Sequence, residues 1–170
     1  MKKSLGNDKR SLSQDFVWIT NNGSAAITEG APAIYEMDGS EDGQSAENAS
    51  DSTAAKATGF LAGIALADIA VGAKGKLQVR GFIDKVKMVN ATRAASTDVY
   101  VSYPALAIGD QLIVNTVANA MSRSGAGAAS AAGPLVVAVG TYASSTTAAS
   151  TSSDSNLFKT TTVSAFLRIM

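Results

Sequence analysis

The residues able to do chemistry are few, and their spacing argues against catalysis. The chain has no His and no Cys, which removes the commonest general base, the commonest zinc ligand and any thiolate nucleophile. Asp38-Gly39-Ser40-Glu41-Asp42-Gly43 matches the first half of a calcium loop. Hard oxygen ligands stand at alternate positions there, with Gly at the sharp turn. The bidentate Glu that should close the loop falls on Ala49, so a solvated acidic turn is the better reading. Gly72-Ala73-Lys74-Gly75-Lys76-Leu77 has the flavour of a phosphate loop, but Leu77 stands where a hydroxyl must hold magnesium. Gly125-Ala126-Gly127 lacks the third Gly of a dinucleotide fingerprint. Ser and Thr abound, yet nothing places a Lys beside a particular Ser. Exposed carboxylates of the acidic stretch lack the burial that raises the pKa of a glycosidic acid. No catalytic residue, metal ligand or cofactor is expected, and the chain reads as a non-enzyme.

What remains are side chains suited to binding. Phe16, Trp18 and Tyr35 lie near the N-terminus. Large aromatics dominate interface hot spots, and they equally cap cores, so both readings stand. Charge is uneven. Residues 36–51 hold Glu36, Asp38, Glu41, Asp42, Glu47 and Asp51 without a base. Residues 74–93 hold Lys74, Lys76, Arg80, Lys85, Lys87 and Arg93 against Asp84. These are two solvated faces, or complementary patches that set register between neighbouring subunits. The candidate interface residues are therefore Phe16, Trp18, Tyr35, Lys74, Lys76 and Arg80. Nucleic acid is not an expected partner, because net charge is zero and Phe82 is the one aromatic in the basic stretch. The acceptor patterns Asn48-Ala49-Ser50 and Asn90-Ala91-Thr92 read as chance matches, since no secretory signal is evident.

The elements that must position these side chains are strands. Phe16–Thr20 is a strand signal closed by a turn at Asn21-Asn22-Gly23; Ala33–Met37 follows as a second short strand. Phe60–Leu66 is a short apolar run, with a turn at Gly72 to Gly75. Leu77, Val79 and Ile83 alternate with polar neighbours, and Val86–Val89 continues the extended reading. Val99–Tyr103, Gln111–Val114, Leu135–Gly140 and Thr160–Met170 complete the set. The β-branched run at Leu135–Gly140 predicts a strand buried on both faces. Residues 1–15 read as a flexible N-terminal arm, and residues 16–170 as a single β-rich domain. Stretches 38–58, 118–133 and 143–156 are Ala/Ser/Gly-rich and read as loops. The expected fold is all-β, a small barrel or sandwich of short strands with long loops and an N-terminal arm. No clean internal repeat is evident, and no apolar run is long enough to span a membrane.

Hydrophobic residues are 46% of the chain, much of it Ala, and charged residues only 16%. That surface suits a chain covered by neighbours. Exposed strand edges, a hazard for a monomer, would gain partners across subunits. The order Ala25–Ala33, Phe60–Leu66, Asp68–Phe82, Ile108–Val114, Leu135–Gly140 and Val163–Leu167 resembles the small head-decoration (cement) proteins of tailed bacteriophages. The likeness lies in Gly placement and strand rhythm over most of residues 25–170. The acidic segment 38–51 and the Ser/Thr/Ala segment 143–156 depart from it. The resemblance implies a trimer or other symmetric cluster on the outer capsid surface of the virion, bound to the major capsid protein and made in the bacterial host cytoplasm. The alternative is a receptor- or glycan-binding surface module, a fibre head or adhesin, using the Ser/Thr/Ala loops. A major shell subunit is disfavoured, because neither its long helix nor its extended hairpin is visible.

Overall fold

The computed structural model describes residues 14–36, 43–49, 61–93, 100–102, 105–115, 119–124, 135–141 and 158–169. Among them there is no helix, and the all-β expectation holds. The strands are β1 (Asp15–Asn21), β2 (Pro32–Tyr35), β3 (Ser45–Asn48), β4 (Leu61–Ala65), β5 (Lys74–Arg93), β6 (Tyr100–Ser102), β7 (Leu112–Asn115), β8 (Ala120–Arg123), β9 (Leu135–Ala138) and β10 (Phe158–Arg168).

One strand organises the rest. β5 runs 20 residues, far beyond the short strands expected. Its first half pairs with β1 and β4, and its second half with β10, β6 and β8. The changeover falls at Gly81, whose φ is 95°. A side chain there would strain the backbone, so glycine lets one strand turn from one set of neighbours to the next. Beyond it the inward phase of β5 switches from Ile83 to Val86. The β10 ladder shows why: β5 advances from Ile83 to Val86 while β10 advances only from Ala165 back to Val163. That is a bulge, and one extra residue reverses the alternation.

The pairings close on themselves. β1, β3, β2, β4 and the first half of β5 form a ring, with β5 returning to β1. A second ring runs through β5, β10, β9, β7 and β8, closed by the Gln111–Val137 bridge and by the parallel Met88–Met121 pairing. Every strand of the first ring has both neighbours inside the chain. Ring closure narrows the edge left for pairing across subunits to stretches such as Asp15–Ile19 of β1, which lie outside the β1–β3 register.

Each ring has its own core. The first is narrow and filled with small residues, Ala31, Ala33, Ala46, Ala62 and Ala65, plus Ile19, Ile27, Ile69 and Leu77. The second holds Ile83, Val86, Met88, Leu112, Met121, Val136, Val163 and Leu167. β4 serves both, with Ala62 and Ala65 in the first and Leu61 and Ile64 in the second.

The narrow first ring corrects one loop expectation. Within 38–58, Ser45–Asn48 is a fully buried strand. It carries no large apolar residue; Ala46 packs in the first core among the other alanines, and Ile19, Ile27, Ile69 and Leu77 supply its bulk. Within 118–133, Ala120–Arg123 is likewise a strand, with Met121 in the second core. Val136 and Ala138 of β9 are buried but Val139 is 40% exposed, so that segment is not buried on both faces. Asp15, placed in the arm, opens β1. Residues 1–13 and the segment 143–156 lie outside the described residues.

A repeat does exist. Ile27-Thr28-Glu29-Gly30-Ala31, Ile69-Ala70-Val71-Gly72-Ala73 and Leu106-Ala107-Ile108-Gly109-Asp110 form the same turn. Each is closed by an amide donating three residues back: Ala31 to Thr28 at 3.0 Å, Ala73 to Ala70 at 3.0 Å, Asp110 to Ala107 at 3.1 Å. Each glycine has positive φ, 77°, 75° and 92°, at the position where a type II turn requires it. Each turn then exchanges two backbone bonds with one residue of a neighbouring strand: Gly30 and Ala31 with Ala65, Gly72 and Ala73 with Asn21, Gly109 and Asp110 with Ala138. The next pair is equivalent as well, Pro32 with Ile64, Lys74 with Thr20 and Gln111 with Val137.

Candidate functional site

Alternation along β1 sends Val17, Ile19 and Asn21 inward and Phe16 and Trp18 outward. Asn21 is wholly buried and ties the strand end down by donating to Ala25 O at 3.0 Å and Ile69 O at 2.9 Å. The ladder sets Trp18 directly opposite Lys76 and Thr20 opposite Lys74. Lys76 Nζ lies 5.0 Å from the Trp18 ring centre and 5.9 Å from that of Phe16. Both distances are within reach of a cation–π attraction. Trp18 is 64% exposed and Phe16 43%. A rigid strand pair thus holds two large aromatics and a cation in water.

Arg80 reaches Asp15 at 3.7 Å, and both side chains are exposed, so the pair adds little stability. The structure therefore gathers Phe16, Trp18, Lys74, Lys76 and Arg80 on the β1–β5 ladder. Tyr35 does not join them. It lies on β2, packed against the first core, because β2 is separated from β5 by β4 and from β1 by β3.

Beside this face is a cleft of about 300 Å³. Phe16, Leu66, Phe82 and Gln78 form its walls, and Glu29 and Asp84 stand on its rim. Gln78 is buried, and its amide donates to Arg80 O at 3.1 Å and Phe82 O at 2.8 Å. Those carbonyls flank Gly81, so Gln78 satisfies the backbone where β5 changes partners. Gln14 Nε2 also donates to Phe82 O, at 3.0 Å. Lys85 and Glu29 close one side with a 3.0 Å ion pair. Phe82 and Gln78 were not among the candidate residues. Their signal was Gly81 inside an alternating run, which marks a bend where backbone groups need side-chain partners.

The charge pattern resolves in part. Lys85 and Arg80 find Glu29 and Asp15 within the chain, and neither acid belongs to the 36–51 stretch. Glu47 of that stretch is buried on β3 and is not a solvated face. Residues 38–42 of the calcium-loop half lie outside the described residues. Among the described residues no cluster of acids could hold a metal ion, and no helix is long and apolar enough to cross a membrane. Lys76 of the phosphate-loop look-alike is turned to the aromatics. Asn48 is buried and donates to Ala26 O at 2.9 Å, which leaves no room for a glycan there.

No protein family, no curated protein and no solved structure matches the chain. The functional reading therefore rests on its own residues.

Proposed function

We propose that this chain is a structural virion protein that decorates and stabilises a tailed-phage capsid, binding the major capsid protein and its own copies. The observation that supports this most is the exposed Phe16–Trp18–Lys76 face, held on a closed β ring. An aromatic–cation surface kept in water on a rigid scaffold suits docking, since little side-chain entropy is lost on contact. The chain's low charge, 16%, agrees with a surface covered in use. The contact is made face to face, because Phe16 and Trp18 project outward from the face of β1. Repetition over a symmetric shell multiplies weak contacts into stable attachment. The resemblance in Gly placement and strand rhythm is consistent with this role.

The experiment is co-sedimentation of purified chain with shells of the parent phage that lack it. Saturable binding is expected, with a higher temperature for shell disruption. Trp18→Ala should weaken binding at least tenfold while leaving the circular dichroism unchanged. A folded chain that fails to bind such shells at micromolar concentration overturns the reading.

A further inference from the structure

The cleft and the exposed tryptophan are neighbours on one surface. Phe16 belongs to both: its ring lies near Lys76 in the aromatic face, and it lines the cleft. The cleft, at about 300 Å³, sits at the lower bound of ligand-sized pockets, about 300–1,000 Å³. It suits one large side chain better than a chain segment. Phe16, Phe82 and Leu66 line it, together with the buried Gln78. That lining fits an indole, which is apolar over its faces and carries one N–H donor. The amide nitrogen of Gln78 is committed to Arg80 O and Phe82 O, which leaves its oxygen as the acceptor such a donor needs.

We infer that Trp18 of one copy enters this cleft on a second copy, and that the contact is reciprocal about a two-fold axis. A knob and a hole side by side on one face are what such a self-complementary contact requires. Charge agrees. Lys76 rides beside Trp18 and is carried to the partner's rim, where Asp84 stands. Asp84 has no ion pair with any described residue, whereas Glu29 on the same rim is held by Lys85. Lys76 and Asp84 of opposite copies thus complete each other twice per dimer. The inference rests on the self-association part of the proposed function and names its contact.

The chain has a single tryptophan, so the contact can be read directly. The full-length chain is followed by sedimentation velocity and Trp emission across micromolar to hundred-micromolar concentration. Dimers are expected, with a blue shift of emission that tracks dimer fraction. Phe82→Ala should weaken association about tenfold or more. Lys76→Glu and Asp84→Lys should each do the same. Mixing those two single variants should restore dimers, because each copy then meets opposite charge at both rims. A structural role inside one chain cannot be rescued by mixing.

Three results overturn the inference: a monomer throughout, association with Trp18 still emitting as in water, or no rescue on mixing. Shell co-sedimentation run beside it separates the two ideas. A chain that binds shells but keeps Trp18 solvated loses this pairing and keeps its decoration role.

Discussion

Lys76 stands directly across the ladder from Trp18, its ammonium 5.0 Å from the ring centre. The pairing orients the indole without covering it, so its contribution to stability can be measured apart from its proposed contribution to binding. Trp18 is 64% exposed, and an exposed cation–π contact is worth about 0.5–1 kcal/mol. Trp18→Ala is expected to lower unfolding free energy by no more than about 1 kcal/mol, read from urea midpoints at constant slope. Shell binding should fall far more. Equal losses in both would place Trp18 in the scaffold and not in the contact.

Gly81 is the second point of leverage. Its φ of 95° lies where side chains cost of order 1–3 kcal/mol. Gly81→Val should therefore destabilise by at least that range, and Gly81→Asn by less, since Asn tolerates positive φ better. The Gln78 amide should report the same strain. Gln78→Leu is expected to cost about 1–3 kcal/mol, because Arg80 O loses its side-chain donor while Phe82 O keeps the one from Gln14. Thermal melts of the three variants give the order. If Gly81→Val melts with the wild type, the bend does not need glycine.

The three equivalent turns share one backbone strain but differ in what surrounds the glycine. At Gly72 and Gly109 a Cβ would project into open space, so only backbone strain opposes a side chain. Gly72→Ala and Gly109→Ala should each cost about 1–2 kcal/mol. Gly30→Ala should cost more, because its Cβ would lie 3.1 Å from Lys85 O and 3.3 Å from Lys87 N. Denaturant midpoints rank them. A Gly30 variant as mild as the other two would show that the β5 backbone gives way at Lys85.

How far the sequence speaks depends on what each element is made of. β5 and β10 announce themselves, because Leu77, Val79, Val163 and Leu167 alternate as half-buried strands must. β3 is silent. Ser45-Ala46-Glu47-Asn48 has no large apolar residue, and its burial comes from its place between β1 and β2 in the ring. The repeat was within reach in Gly30, Gly72 and Gly109, each three residues after an Ile or Leu. The intervening distances differ, which hides it from a fixed-period search. Phe16, Trp18 and Lys76 could be named from residue type, but their meeting depends on β1–β5 register, a long-range fact. Tyr35 had the same residue-type signal and went to the core. The cleft had no local signature, since β1, β4 and β5 all contribute to it.

The shared strand makes a last prediction about cooperativity. Two closed rings with separate cores could melt separately. Here β5 runs through both, and β4 sends Ala62 and Ala65 to one core and Leu61 and Ile64 to the other. Losing either ring would uncover the β4 face that serves it and strip one half of β5 of its partners. A single transition is therefore expected, with Trp18 emission, which reports on the first ring, coinciding with far-UV circular dichroism of the whole. Leu77→Ala in the first core and Met121→Ala in the second should each shift that same transition, by about 2–5 kcal/mol. Ile64→Ala should fall in the same range, since Ile64 fills the second core from a strand of the first ring. If Met121→Ala instead lowers the dichroism transition and leaves the Trp18 transition in place, the rings fold independently and β5 is only a tether.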